Sequence, residues 1–174
     1  MRQWLSILAM LVLCTLCAQQ NPYAELSYDS LVIYDFEWRS PKGKFRSIID
    51  KEGNLPPTVR KAVTLSKQEA TELSRRIGAK ESYGQMTAAC FDPHFGMVYY
   101  EDGKVREYIT ICMACNYPEP SIPLPVRYLS DKDEEIEANY SKMGFSKAFR
   151  TYLFDLKRKY GFSAIGKPEF KIGE

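Results

Sequence analysis

The dipeptide Asp102-Gly103, set between two runs of β-branched and aromatic residues, constrains this chain more than any other feature. Both positions of a tight hairpin turn need positive φ, which Gly adopts freely and Asp tolerates, so the pair predicts a two-residue turn. The incoming strand reads His94-Phe95-Gly96-Met97-Val98-Tyr99-Tyr100 and the outgoing one Val105-Arg106-Glu107-Tyr108-Ile109-Thr110-Ile111. Cys90, Cys112 and Cys115 stand at the far ends of these strands, so closing the hairpin gathers sulfur atoms. With Glu101 opposite Lys104, an uninterrupted register sets Tyr100 against Val105, His94 against Ile111 and Cys90 against Cys115. Cys90–Cys115 is therefore the expected disulfide. Cys112 falls opposite Pro93 on the other face, and becomes the alternative partner if the register slips by one residue near Pro93, which has no N–H for the ladder.

The first residues bear on how these cysteines are read. Arg2 precedes an apolar run from Trp4 to Leu16, followed by Cys17, Ala18, Gln19 and Gln20. That order of charge, apolar run and small residues predicts a secretory signal peptide over 1–18, leaving 19–174 as a single domain. The run is too short to span a bilayer, and no later segment approaches the required length. Leu16, bulky and next to Cys17, argues against a lipoprotein anchor there. Removal of 1–18 takes Cys14 and Cys17 with it and leaves three cysteines, and a secreted or periplasmic setting favours pairing two of them. Lys plus Arg number 24 and Asp plus Glu 22, so charge offers no case for nucleic acid as a partner.

Along the chain, alternating Leu31, Ile33, Asp35 and Val32, Tyr34, Phe36 mark a strand at about 31–38. The turn Ser40-Pro41-Lys42-Gly43 predicts a returning strand at 45–50, and 61–65 suggests a third strand. Ser66 and Glu69 form a capping-box pattern that opens a helix over 66–77, with Ala70, Leu73 and Ile77 as its apolar stripe and Gly78 as its stop. Pro118, Pro120, Pro123 and Pro125 rule out a helix or a central strand and predict an extended loop. Helices are expected at 131–143, behind Ser130, and at 146–160, where Phe149, Leu153, Leu156 and Tyr160 line one face. Lys157-Arg158-Lys159 reads as a helix C-terminus rather than a binding patch. The sum is an α+β domain, with an antiparallel sheet of hairpins at 31–38/45–50 and 95–101/104–112 covered by helices.

Other chemistries find less footing. Cys90, His94, Cys112 and Cys115 make a Cys3His inventory, so a structural zinc site or a thiol-redox site at the three cysteines is the alternative to a disulfide with no cofactor. Regular strands oppose zinc, because Cys90, His94 and Cys115 share a face while Cys112 points away. A redox Cys-x-x-Cys usually opens a helix, whereas this one ends a strand. His94 is the single histidine, which excludes sites built on two. The acidic run Asp131, Asp133, Glu135, Glu137 has Ile136 where a calcium loop needs glycine. Asn139-Tyr140-Ser141 is a glycosylation sequon.

Cys90-Phe91-Asp92-Pro93-His94-Phe95-Gly96, then Val98-Tyr99-Tyr100 and Ile111-Cys112-Met113-Ala114-Cys115-Asn116, together resemble a group of small secreted bacterial proteins of no assigned activity. That group is similar in its Cys-x-x-Pro segment, aromatic hairpin and closing Ile-Cys-x-x-Cys-Asn. The likeness spans Cys90 to Asn116 and implies export and a cysteine-bearing hairpin. The expected function is a non-catalytic structural or interaction module, with a protein, peptide or glycan partner and a tyrosine-rich sheet surface as one place to meet it.

Overall fold

The computed structural model describes residues 22–41, 43–88, 90–125 and 143–167. The signal segment expected at 1–18, the helix expected at 131–143 and the sequon at Asn139 fall outside those residues. The described chain is the expected α+β domain. Its strands are β1 (Ser30–Phe36), β2 (Arg39–Ser40), β3 (Gly43–Lys44), β4 (Val59–Thr64), β5 (Tyr83–Gln85), β6 (Phe95–Glu101), β7 (Lys104–Cys112), β8 (Tyr117–Pro120) and β9 (Gly144–Phe145). Its helices are α1 (Lys67–Ile77) and α2 (Lys147–Lys159). Five strands form an antiparallel sheet in the order β4-β1-β6-β7-β8. Among the described residues no helix is long and apolar enough to cross a membrane.

Strand alternation divides the sheet into two faces. Leu31, Ile33, Met97, Tyr99, Ile109 and Ile111 point to one side, where Ala70, Leu73 and Ile77 of α1 and Phe149, Leu153 and Leu156 of α2 cover them. Val32, Tyr34, Phe36, Val98 and Tyr100 point to the other, against Trp38, Ile48 and Ile49. The capping box of α1 forms as its sequence predicts, with Ser66 Oγ accepting from Glu69 N and Glu69 Oε2 accepting from Ser66 N. The other oxygen of Glu69 accepts from Lys159 Nζ and from the Tyr160 hydroxyl, at 2.6 and 2.7 Å. Lys159 foremost, with Ser66 and Tyr160, holds the Glu69 carboxyl down at about 2. One carboxylate thus caps α1 and ties it to the end of α2.

The turn at Asp102-Gly103 has φ of 51° and 70°, as the hairpin requires. The register beyond it differs from the uninterrupted one. Glu101 pairs with Lys104 and Tyr100 with Val105, but Tyr99 pairs with Glu107, which leaves Arg106 as a bulge. From there the register is offset by one, so Phe95 rather than His94 stands opposite Ile111. The strand expected at 61–65 is β4. The proline segment begins as β8, an edge strand in which Pro118 and Pro120 pair with Ile111 and Ile109. An edge tolerates proline because half its N–H groups need no partner.

The returning strand expected at 45–50 does not form. After the short β2–β3 hairpin the chain leaves the sheet and lies over its outer face, where Ile48 is fully buried and its N–H donates to Thr110 Oγ1 at 2.9 Å. The places beside β1 are taken by β4 and β6, whose longer ladders bury more of it. Gly96 makes the overlay fit: a Cβ there would come within 2.4 Å of Ile48 Cγ1. Gly96→Ala should therefore lose about 1–3 kcal/mol of stability in urea denaturation. Adding Ile48→Ala should recover part of that loss, so the double variant is more stable than the sum of the singles. Strict additivity would mean that the two residues do not touch.

Candidate functional site

The β7–β8 connection is a four-residue turn, Met113 to Asn116, because Cys112 pairs with Tyr117. The sheet ends there, and the loop before β6 runs alongside it, with Ala88 N donating to Cys115 O at 2.9 Å. Cys90 in that loop and Cys115 in the turn form a disulfide, with Cα atoms 6.0 Å apart. The expected pair is present although the register that suggested it is not. Cys90 lies ahead of β6 and Cys115 beyond β7, and a disulfide accepts a wider range of Cα separations than a strand ladder does. The bridge spans a sequence separation of 25. Loop closure of that length contributes about 3 kcal/mol by restricting the unfolded chain.

Cys112 is free and wholly buried. It does not face Pro93. Its sulfur accepts from Cys115 N at 3.2 Å, so the Cys-x-x-Cys turn is closed by the thiol itself. Burial pushes the Cys112 thiol up, against the opposing pull of backbone N–H groups led by Asp92. His94 is turned toward the C-terminal end of β1: its Nδ1 lies 3.2 Å from Phe36 O and 3.5 Å from Glu37 Oε2. Cys90, His94, Cys112 and Cys115 are therefore not gathered as one ligand set. Among the described residues no three His, Cys, Asp or Glu side chains come together in a metal-holding group.

The turn's last residue organises what surrounds it. Asn116 adopts φ 54°, a left-handed position that Asn tolerates better than most residues, and it is wholly buried. Its Nδ2 donates to Met86 O at 3.3 Å and to Phe145 O at 3.1 Å. Its Oδ1 accepts from Arg150 Nη1 at 3.1 Å. One amide thus joins the sheet's end, the β5–β9 pair and α2. Gly144 leaves room for it, since a Cβ there would lie 2.5 Å from Asn116 Nδ2.

Arg150 and Lys157 bring buried cations to this end of the core, 1 % and 2 % exposed. Seven residues apart on α2, they share the flank of its apolar stripe. Arg150 is served by Asn116 and by Lys167 O, which accepts from Nε and Nη2. Burial lowers its pKa to about 10. Among the described residues Lys157 Nζ has no hydrogen-bond partner, and it lies 5.4 Å from the centre of the Phe95 ring. Burial pulls its pKa down to about 8, Asp35 opposing and Arg150 adding to the shift. Residues 157–159 end α2 as expected, but unequally: Lys159 and Arg158 are exposed, and Lys157 is core. Its spacing four residues after Leu153 was the available signal.

No family model matches the chain, and no curated protein and no solved structure shows significant similarity to it.

Proposed function

We propose that this chain is an exported, non-catalytic interaction module of the secreted or periplasmic space, whose cysteine hairpin is tied for structural reasons. The observation that carries the reading is the Cys90–Cys115 bridge, closed across the end of the sheet with the third thiol shut away. Such a bridge persists in oxidising compartments, and the apolar segment after Arg2 supports delivery to one. A catalytic thiol needs a lowered pKa and access, whereas Cys112 has a raised pKa and no exposure. On the outer sheet face Tyr100, Val105 and Tyr108 are half-buried, offering ring and hydroxyl groups suited to a protein, peptide or glycan partner.

Peptide mass mapping without reductant, on protein produced by an exporting host, tests the reading. The expected map links Cys90 to Cys115 and leaves Cys112 as one thiol that alkylates only after denaturation. Three free thiols, or a bridge through Cys112, would overturn it.

A further inference from the structure

The C-terminal half of α2 and the segment after it enclose a cavity of about 420 Å³. Its lining includes Phe154, Lys157, Gly161, Phe162, Ser163 and Ala164. Gly161, at φ 62°, turns the chain back so that Phe162 packs edge-on to Phe95, centroids 6.0 Å apart. That fold-back sets the Phe162 ring beside Phe95, the ring nearest Lys157 Nζ.

Among the described residues cations predominate there. Arg158, ion-paired with Asp155, is a second cation of the lining, and Lys61 Nζ lies 6.0 Å from the Phe162 ring centre. The carboxylate that acts on Lys157 among those residues is Asp35, itself buried and accepting from the Ser163 hydroxyl. Lys157 Nζ, without a hydrogen-bond partner among the described residues, is in the situation that buried ammonium groups avoid, because Asp35 offsets only part of the desolvation. A ligand acceptor would relieve it, and the four-carbon stem lets the ammonium turn toward one.

We propose that this cavity is a binding site for a small organic monocarboxylate, the carboxylate meeting Lys157 and the apolar body lying against Phe154 and Phe162. The volume falls within the range of small-molecule sites, roughly 300–1,000 Å³. An apolar wall beside a polar group that a side-chain rotation brings to the ligand matches what such sites use to orient it. The site is separate from the cysteine corner's structural role and stands whether or not the chain acts as an interaction module.

Isothermal titration of the full chain with octanoate, and with 1-octanol as its neutral counterpart, tests the proposal. Octanoate should bind saturably and the alcohol at least about tenfold more weakly, the loss expected for a missing charge-assisted hydrogen bond. Lys157→Met should abolish that preference. Ala164 is exposed, so Ala164→Trp should weaken both ligands by obstructing the cavity without touching the core. Absence of saturable octanoate binding, equal binding of the alcohol, or a preference that survives Lys157→Met would overturn the proposal. Unaltered octanoate binding by Ala164→Trp would place the ligand elsewhere and overturn it too.

Discussion

Lys157→Met should make the protein more stable at pH 7, by about 3 kcal/mol, the equivalent of lowering a lysine from its ordinary value to about 8. For a domain of this size that is roughly 5–10 °C in melting temperature. Methionine keeps the length and apolar stem of lysine and removes the buried charge, while Asp35 retains the Ser163 hydroxyl. The sign follows from proton binding. Below about pH 8 the lysine is charged in both states and the burial penalty is felt in full. Between about 8 and its unfolded value of 10.5 the unfolded chain holds the proton and the folded one does not, so wild-type stability gains with rising pH. The advantage of the variant should therefore shrink across that window and vanish above it. Urea denaturation of both proteins from pH 6 to 10.5 reads the difference directly. The buried tyrosines Tyr23, Tyr83 and Tyr99, whose pKa values burial raises, titrate alike in both and cancel. A variant less stable at pH 7, or a gain indifferent to pH, would show that the ammonium is not held unpaired.

Asn116→Ala should have the opposite and comparably large effect, a loss of about 3–5 kcal/mol, because it strips partners from several buried polar groups at once. Met86 O and Phe145 O each lose a donor, and the guanidinium of Arg150 loses one of its acceptors. Alanine also meets backbone strain at φ 54°, which glycine would not. Asn116→Gly should consequently recover about 1 kcal/mol of the loss, separating the conformational share from the hydrogen-bonding share. Equilibrium unfolding in urea measures both variants. An alanine variant within 1 kcal/mol of wild type would mean that the amide is not the joint described above.

What could be read in the sequence, and what could not, divides along local and non-local lines. The Asp102-Gly103 turn and the Ser66–Glu69 capping box are each decided by residues within four positions of one another, and each is present. The partner of β1 is not decided locally. A turn at 40–43 suggested that the next segment would return beside it, yet β1 is flanked by strands that begin at Val59 and Phe95. The bulge at Arg106 was equally invisible, since its sequence carries no glycine or proline to announce it. The Cys90–Cys115 bridge survived that one-residue offset because both cysteines lie beyond the ladder. Asn116 and Lys157 were missed for a different reason. A polar residue after a turn and a lysine in a basic triplet both look solvated until their neighbours in space are known.

The Cys90–Cys115 bridge also has a topological consequence. Together with the backbone it makes a covalent ring that contains the whole β6–β7 hairpin, and the exposed Asp102-Gly103 tip is part of that ring. A protease that nicks the tip opens the ring without producing two separable fragments. The severed strands stay laced to one another through sulfur and keep their places in the middle of the sheet. Damage at this exposed tip therefore need not mean loss of the fold.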